Sequence, residues 1–100
     1  MGLSLEPIAI IRQAAADTFG PDAHVWLFGS RVDDSQRGGD VDILVAMDRS
    51  VDRPALLTAQ LSARLERLLD GRQVDVLLKA PNLRHFPIHD IAQTQGERLR

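Results

Sequence analysis

The amino-acid sequence predicts an α/β fold in which a small sheet of about three strands is packed with helices. Segments with apolar residues at helical spacing alternate along the chain with short apolar runs typical of strands. Glycine or proline stands at most of the boundaries between these segments. A chain of 100 residues can bury one modest core, so residues 1–100 are predicted to form a single domain. This pattern leaves the strand directions open.

The helices are predicted from their apolar stripes and their ends. The first begins after Ser4, which suits a helix N-cap, and stops at Gly20. The second begins near Pro54, carries a leucine stripe and ends at Gly71. Its predicted stripe consists of Leu57, Leu61, Leu65 and Leu68. Residues 81–96 form a last stretch that is irregular or helical.

Three apolar runs predict the strands. These are residues 23–28, 40–47 and 73–78. Residues 30–39, between the first two strands, are polar and rich in glycine, and they predict a loop with at most one helical turn. Trp26 alternates with Val25 and Leu27, so it lies on the opposite face of the first strand, in a core or an interface.

Two aspartates stand one residue apart at the start of the second predicted strand. Asp40 and Asp42 project from one face of that strand, whereas Val41 and Ile43 form an apolar opposite face. Two carboxylates this close repel each other unless a cation lies between them. Magnesium suits such a place because it prefers oxygen ligands and is usually held by one or two carboxylates together with substrate phosphates.

A glycine-serine pair at the end of the first strand predicts a phosphate site. Gly29 lets the backbone approach a ligand closely, and Ser30 offers a hydroxyl and an N–H group to an anion. Arg31 can pair with a phosphate oxygen, and Arg37 in the same loop is a weaker candidate.

The third predicted strand supplies another carboxylate. Asp75 alternates with Val74 and Val76, so it lies on the other face of that strand. If this strand lies beside the second, Asp75 joins Asp40 and Asp42 in one acidic cluster. The remaining candidates lie near turns or a helix end, where aspartate has ordinary capping duties. They are Asp48, Asp52 and Asp70.

An apolar-Gly-Ser segment followed after nine residues by Asp-x-Asp resembles the core motif of the DNA polymerase beta-like nucleotidyltransferase superfamily. In particular, the chain resembles a minimal nucleotidyltransferase of the MNT type, the antitoxin to HEPN ribonuclease toxins. The resemblance covers nearly all of the chain and implies the nucleotidyltransferase fold with a mixed sheet. It implies catalytic and magnesium-binding roles for Asp40, Asp42 and Asp75, and nucleotide binding by Gly29, Ser30 and Arg31.

The function implied by this resemblance is transfer of AMP from ATP to a hydroxyl group, a tyrosine, of a partner HEPN toxin, with two magnesium ions as cofactors. Two alternatives stay open: an antitoxin that blocks its partner by contact alone, and a subunit of a transferase for a small hydroxylated molecule. The chain has one tryptophan and three phenylalanines, too few for an aromatic acceptor platform, so the acceptor site is expected to come from another chain. The preferred base, the number of nucleotides transferred and the oligomeric state are left open.

Composition and charge argue against several other classes of protein. The net charge of −2 gives no basic surface for binding nucleic acid independently of sequence. The absence of cysteine fits a reducing cytoplasm, and the sequence shows neither an export signal nor a membrane-spanning apolar run. His85 and His89 have a spacing used by zinc ligands, but Pro87 between them disfavours a regular helix. Arg98 and Arg100 are predicted to form a solvated tail.

Overall fold

A computed structural model describes residues 5–28 and 40–100. Its elements, in chain order, are α1 (Leu5–Phe19), β1 (His24–Phe28), β2 (Val41–Ala46), α2 (Pro54–Leu68), β3 (Val74–Lys79), α3 (Pro87–Gln95) and β4 (Glu97–Arg98). The α/β class is confirmed, with four strands rather than three in the described ranges. The predicted phosphate-binding residues Gly29, Ser30 and Arg31 lie outside these ranges.

The sheet is mixed and has the strand order β3-β2-β1-β4. Strands β2 and β3 are parallel, whereas β1 runs antiparallel to both β2 and β4. A parallel pair of neighbours needs a long connection, and α2 provides it between β2 and β3. The second and third predicted strands are therefore neighbours.

Strand β2 is buried on both faces because helices cover both sides of the sheet. On one face Val41, Ile43 and Val45 are fully buried in a core that α1 and α2 complete. Leu44 points to the opposite face, yet it is also fully buried, because α3 packs across that face. A continuous apolar run is the pattern expected of a strand covered on both sides. None of the helices in the described part of the chain has the length and apolar character needed to cross a membrane.

Two sequence predictions about apolar and charged positions were wrong. The leucine stripe of α2 continues into Leu69, which directly follows the helix and is buried, whereas Leu68 is exposed. The chain end is not a solvated tail, because Arg98 belongs to β4 and pairs with Trp26 of β1. Its guanidinium lies over the Trp26 ring, with the Cζ atom 5.4 Å from the ring centroid. The next residue, Leu99, is buried and donates a backbone hydrogen bond to the Val25 carbonyl.

Candidate active site

The register of the sheet brings two of the three predicted carboxylates directly opposite each other. Asp42 of β2 is paired with Asp75 of β3, and these two residues are called the acidic pair below. Neighbouring strands lie about 4.8 Å apart, and residues paired across them project to the same face. Asp42 is half-buried and Asp75 is exposed. Asp40 is exposed and directly precedes β2, so it lies at the same end of the sheet.

The acidic pair continues a row of side chains that crosses three strands. Phe28, the last residue of β1, is paired with Asp42 and completes the row. The next row along the same face is apolar and consists of Trp26, Leu44 and Leu77. Since Leu44 is fully buried beneath α3 while Asp75 is exposed, the two carboxylates lie where the covered part of this face gives way to solvent.

The carboxyl end of α3 reaches the end of the sheet that carries the acidic pair. Gly96 follows α3, and its α-carbon lies so close to the backbone that an added Cβ would stand 2.8 Å from the Leu27 carbonyl oxygen. The same Cβ would stand 3.2 Å from the Cβ of Phe28, the residue paired with Asp42. Glycine at this position therefore lets the end of α3 pack against Leu27 and Phe28 of β1.

The amino end of α3 is fixed by a buried histidine. His89 is 2% exposed, and its Nε2 lies 3.1 Å from the carbonyl oxygen of Leu78 in β3. Its Nδ1 accepts a hydrogen bond of 2.9 Å from the backbone N–H of Phe86, the residue preceding α3. This network corresponds to the neutral tautomer with the proton on Nε2. Both ring nitrogens of His89 are thus engaged with the backbone, so its role is to hold α3 on the sheet.

His85 is also engaged, in a contact at the surface. Its Nε2 lies 3.0 Å from Oδ1 of Asp90, and this hydrogen bond holds the pKa of the Asp90 carboxyl below its usual value. The rings of His85 and His89 stack with their centroids 5.1 Å apart. Because both nitrogens of His89 are engaged with the backbone and Nε2 of His85 faces Asp90, the two rings are not arranged as a pair of zinc ligands.

The acidic pair suits a magnesium ion that takes its remaining ligands from a bound substrate, rather than one held by protein ligands alone. Across residues 5–28 and 40–100, no three or more His, Asp or Glu side chains form a group that could hold a metal ion. Magnesium in nucleotide enzymes usually takes one or two carboxylates and fills its remaining positions with phosphate oxygens and water. Asp42 and Asp75 match that donor set, with Asp40 close by.

Two surface grooves lie away from the acidic pair. One of about 390 Å³ runs between α1 and α2 and is lined by residues that include Asp17, Arg64 and Arg67. The other, of about 370 Å³, lies at the opposite end of β2 and β3 and includes Asp48 and Lys79. Neither contains any of the predicted site residues.

Comparison with known proteins gives a family and a fold. The family model of the nucleotidyltransferase domain matches residues 8–94. The chain is similar to a solved toxin–antitoxin complex, MntA–HepT, with 23% identity and a TM-score of 0.66, over 97% of this chain and 72% of the other. It is also similar, with 24% identity and a TM-score of 0.66, to a structure of the tri-AMPylated Shewanella oneidensis HEPN toxin in complex with an MNT antitoxin, over 95% of this chain and 70% of the other. Among curated protein sequences, none matches this chain.

Proposed function

The chain belongs to the nucleotidyltransferase domain family, and we propose that it transfers AMP from ATP to a tyrosine hydroxyl of a partner HEPN-type toxin, thereby acting as an antitoxin. The observation that carries the proposal is the acidic pair. Asp42 lies opposite Asp75 at one end of a sheet that has this family's fold. The similarity to an MNT antitoxin bound to a HEPN toxin supports the choice of partner. That toxin is tri-AMPylated, which is the kind of product that AMP transfer leaves.

In the proposed reaction, the acceptor oxygen forms a bond to the α-phosphorus of ATP. The bond from that phosphorus to the oxygen bridging to the β-phosphate breaks, and pyrophosphate leaves. Such transfers depend mainly on positioning and on neutralising the charge of the phosphate oxygens. Asp42 and Asp75 would hold magnesium, which supplies that neutralisation when bound, with Asp40 as a further oxygen donor. Asp75 is exposed, so an incoming acceptor can also reach it to give up its proton.

The triphosphate would be held by the loop that follows β1. Gly29 and Ser30 follow Phe28 directly in sequence, and Phe28 is the register partner of Asp42. The last residue of β1 therefore lies at the end of the sheet that carries the acidic pair. We assign Gly29 and Ser30 to the outer phosphates and Arg31 to a phosphate oxygen.

Isotope position tests this function directly. The chain is incubated with magnesium, a purified HEPN-type toxin from the same organism and ATP labelled on either its α- or its γ-phosphate. We expect label on the toxin from α-labelled ATP only, because AMP transfer keeps the α-phosphorus and releases the other two as pyrophosphate. Omitting magnesium should abolish the label.

The other outcomes of this assay correspond to different functions. Label from γ-labelled ATP would indicate phosphorylation and would contradict AMP transfer. Inhibition of the toxin without any label would indicate an antitoxin that acts by contact alone. Label on a small hydroxylated molecule, with none on the toxin, would indicate a small-molecule transferase.

The acidic pair also has an expected effect on stability. In the absence of metal, two like charges directly opposite each other on neighbouring strands are destabilising. We therefore expect Asp75→Asn to raise the free energy of unfolding of the metal-free protein, by up to about 1 kcal/mol, and to do so less at high salt. Urea denaturation at two ionic strengths measures this, with Asp52→Asn, an exposed aspartate before α2, as the control. A loss of stability in Asp75→Asn would show that its carboxylate makes favourable contacts instead.

A further inference from the structure

Helix α3 exposes its large apolar residues and buries a histidine and an alanine. The residues it buries against the sheet are His89 and Ala92. Ile88 and Ile91 are 41% and 47% exposed, and Phe86, just before the helix, is 47% exposed. A surface helix normally places its bulky apolar residues toward the core. Contiguous exposed apolar side chains on a soluble domain commonly mark an interaction site.

The path of α3 places one of its flanks toward the acidic pair. The helix starts at the carboxyl end of β3, where His89 meets the Leu78 carbonyl, and ends at the carboxyl end of β1, where Gly96 meets the Leu27 carbonyl. It therefore crosses the sheet diagonally and leaves uncovered the corner that carries the acidic pair. Ile91 lies five residues before Gly96, which corresponds to about 7.5 Å along the helix axis.

The handedness of the fold decides which flank faces that corner. Parallel strands joined by a crossover helix, such as β2 and β3 joined by α2, form right-handed units. Because α2 covers one face of the sheet and α3 the other, this handedness fixes the diagonal along which α3 runs. With its buried face against the sheet, a right-handed helix on that diagonal directs Ile88 and Ile91 toward the acidic pair. It directs Asp90 and Thr94 away from the pair. The two isoleucines are called the apolar flank below.

The negative charge of the carboxylates near the apolar flank helps to decide whether a second copy of this chain or a different protein binds there. A stable interface needs about 800 Å² from each partner, more than two or three side chains supply, so a protein bound here must also extend over neighbouring surface. The uncovered corner with the exposed Asp75 is the surface that this flank of α3 faces. A second copy of this chain would use the same surface on both subunits, so an interface spread over that corner would bring two exposed Asp75 carboxylates into it, where they would repel each other. A different protein that inserts a neutral hydroxyl side chain between the carboxylates and the nucleotide avoids that repulsion.

We propose that the apolar flank is the docking surface for the protein acceptor, whose apolar side chains cover Ile88 and Ile91 while its hydroxyl group enters the site at the acidic pair. This inference rests on the proposed function, since it assigns the acceptor's binding surface on the same site. It explains why α3 presents isoleucine, rather than a polar residue, on the flank that faces the acidic pair.

The test is the double variant Ile88→Gln/Ile91→Gln, whose glutamines keep helix propensity while removing the apolar surface. Its matched control is Leu56→Gln/Leu68→Gln on α2, since these leucines are 47% and 48% exposed. Binding of a purified HEPN-type toxin from the same organism is measured by calorimetry without nucleotide, and AMP transfer is measured with α-labelled ATP. We expect the α3 variant to raise Kd and the KM for the toxin by about tenfold or more, with kcat retained, and the α2 control to match wild type.

Failure of this inference and failure of the proposed function give different results. If wild type transfers AMP and the α3 variant binds the toxin within about twofold of wild type, the docking surface is wrong while the function stands. If the α2 control weakens binding equally, the effect is not specific to α3 and the docking surface is also wrong. If no variant transfers AMP but only the α3 variant loses binding, the docking surface is supported and the catalytic proposal fails.

Discussion

Asp42→Asn is expected to lower the rate of AMP transfer by about a thousandfold or more. A bound metal ion stabilises the transition state by several kcal/mol, and each 1.36 kcal/mol corresponds to a factor of ten in rate. Asparagine has nearly the shape of aspartate, but it replaces one carboxylate oxygen with an amide group that cannot ligate a cation through its nitrogen. Single-turnover transfer of the α-phosphate label to the toxin measures the effect.

The control for this variant is another aspartate at the opposite end of the same strand. Asp48 follows β2 and is almost fully exposed, so Asp48→Asn should transfer AMP at the wild-type rate. Circular dichroism and thermal unfolding should show that Asp42→Asn retains the fold. Wild-type transfer by a folded Asp42→Asn protein would remove the metal-binding role proposed for this residue. A large drop in melting temperature would instead assign Asp42 a role in holding β2 in place.

The sequence predicts which face of its own strand a site residue occupies, but it does not predict which residue of another strand lies next to it. The alternation of side chains along a strand predicted that Asp75 lies on the other face of β3 from Val74 and Val76, without any knowledge of neighbouring strands. Whether Asp75 meets Asp42 depends on which strands are adjacent and in what register, and these are properties of the packed sheet. The connection through α2 made a parallel pairing possible but did not require it.

The missed features are short or depend on tertiary contacts. Strand β4 has two residues, too few to show any alternation, and it forms because β1 offers a free edge to Arg98. Leu68 and Leu69 lie three and four residues after Leu65, so helical spacing alone fits both of them, and packing against the core selects Leu69. The exposed isoleucines of α3 were missed for a related reason, because only the packed structure shows which face of a helix is covered.

Replacing His89 is expected to destabilise the protein strongly. We expect His89→Ala to lower the free energy of unfolding by about 2–4 kcal/mol. The substitution leaves the buried Leu78 carbonyl and the Phe86 N–H without their partners, and it opens a cavity between α3 and β3. Each unsatisfied buried group costs about 1–3 kcal/mol, and part of that cost is recovered where water can reach the Phe86 N–H.

Two further substitutions separate the lost hydrogen bonds of His89 from the lost packing of its ring. The free energy of unfolding of each variant is measured by urea denaturation. His85→Ala removes an exposed ring and its contact with Asp90, so it should change the free energy of unfolding by less than about 0.5 kcal/mol. His89→Phe keeps an aromatic ring in the buried position but removes both hydrogen bonds, so it should retain part of the His89→Ala loss. A His89→Ala protein as stable as wild type would show that α3 is held by other contacts. Because α3 carries the apolar flank, a His89 variant that frees the helix should also weaken toxin binding, even though His89 itself is buried beneath the docking surface.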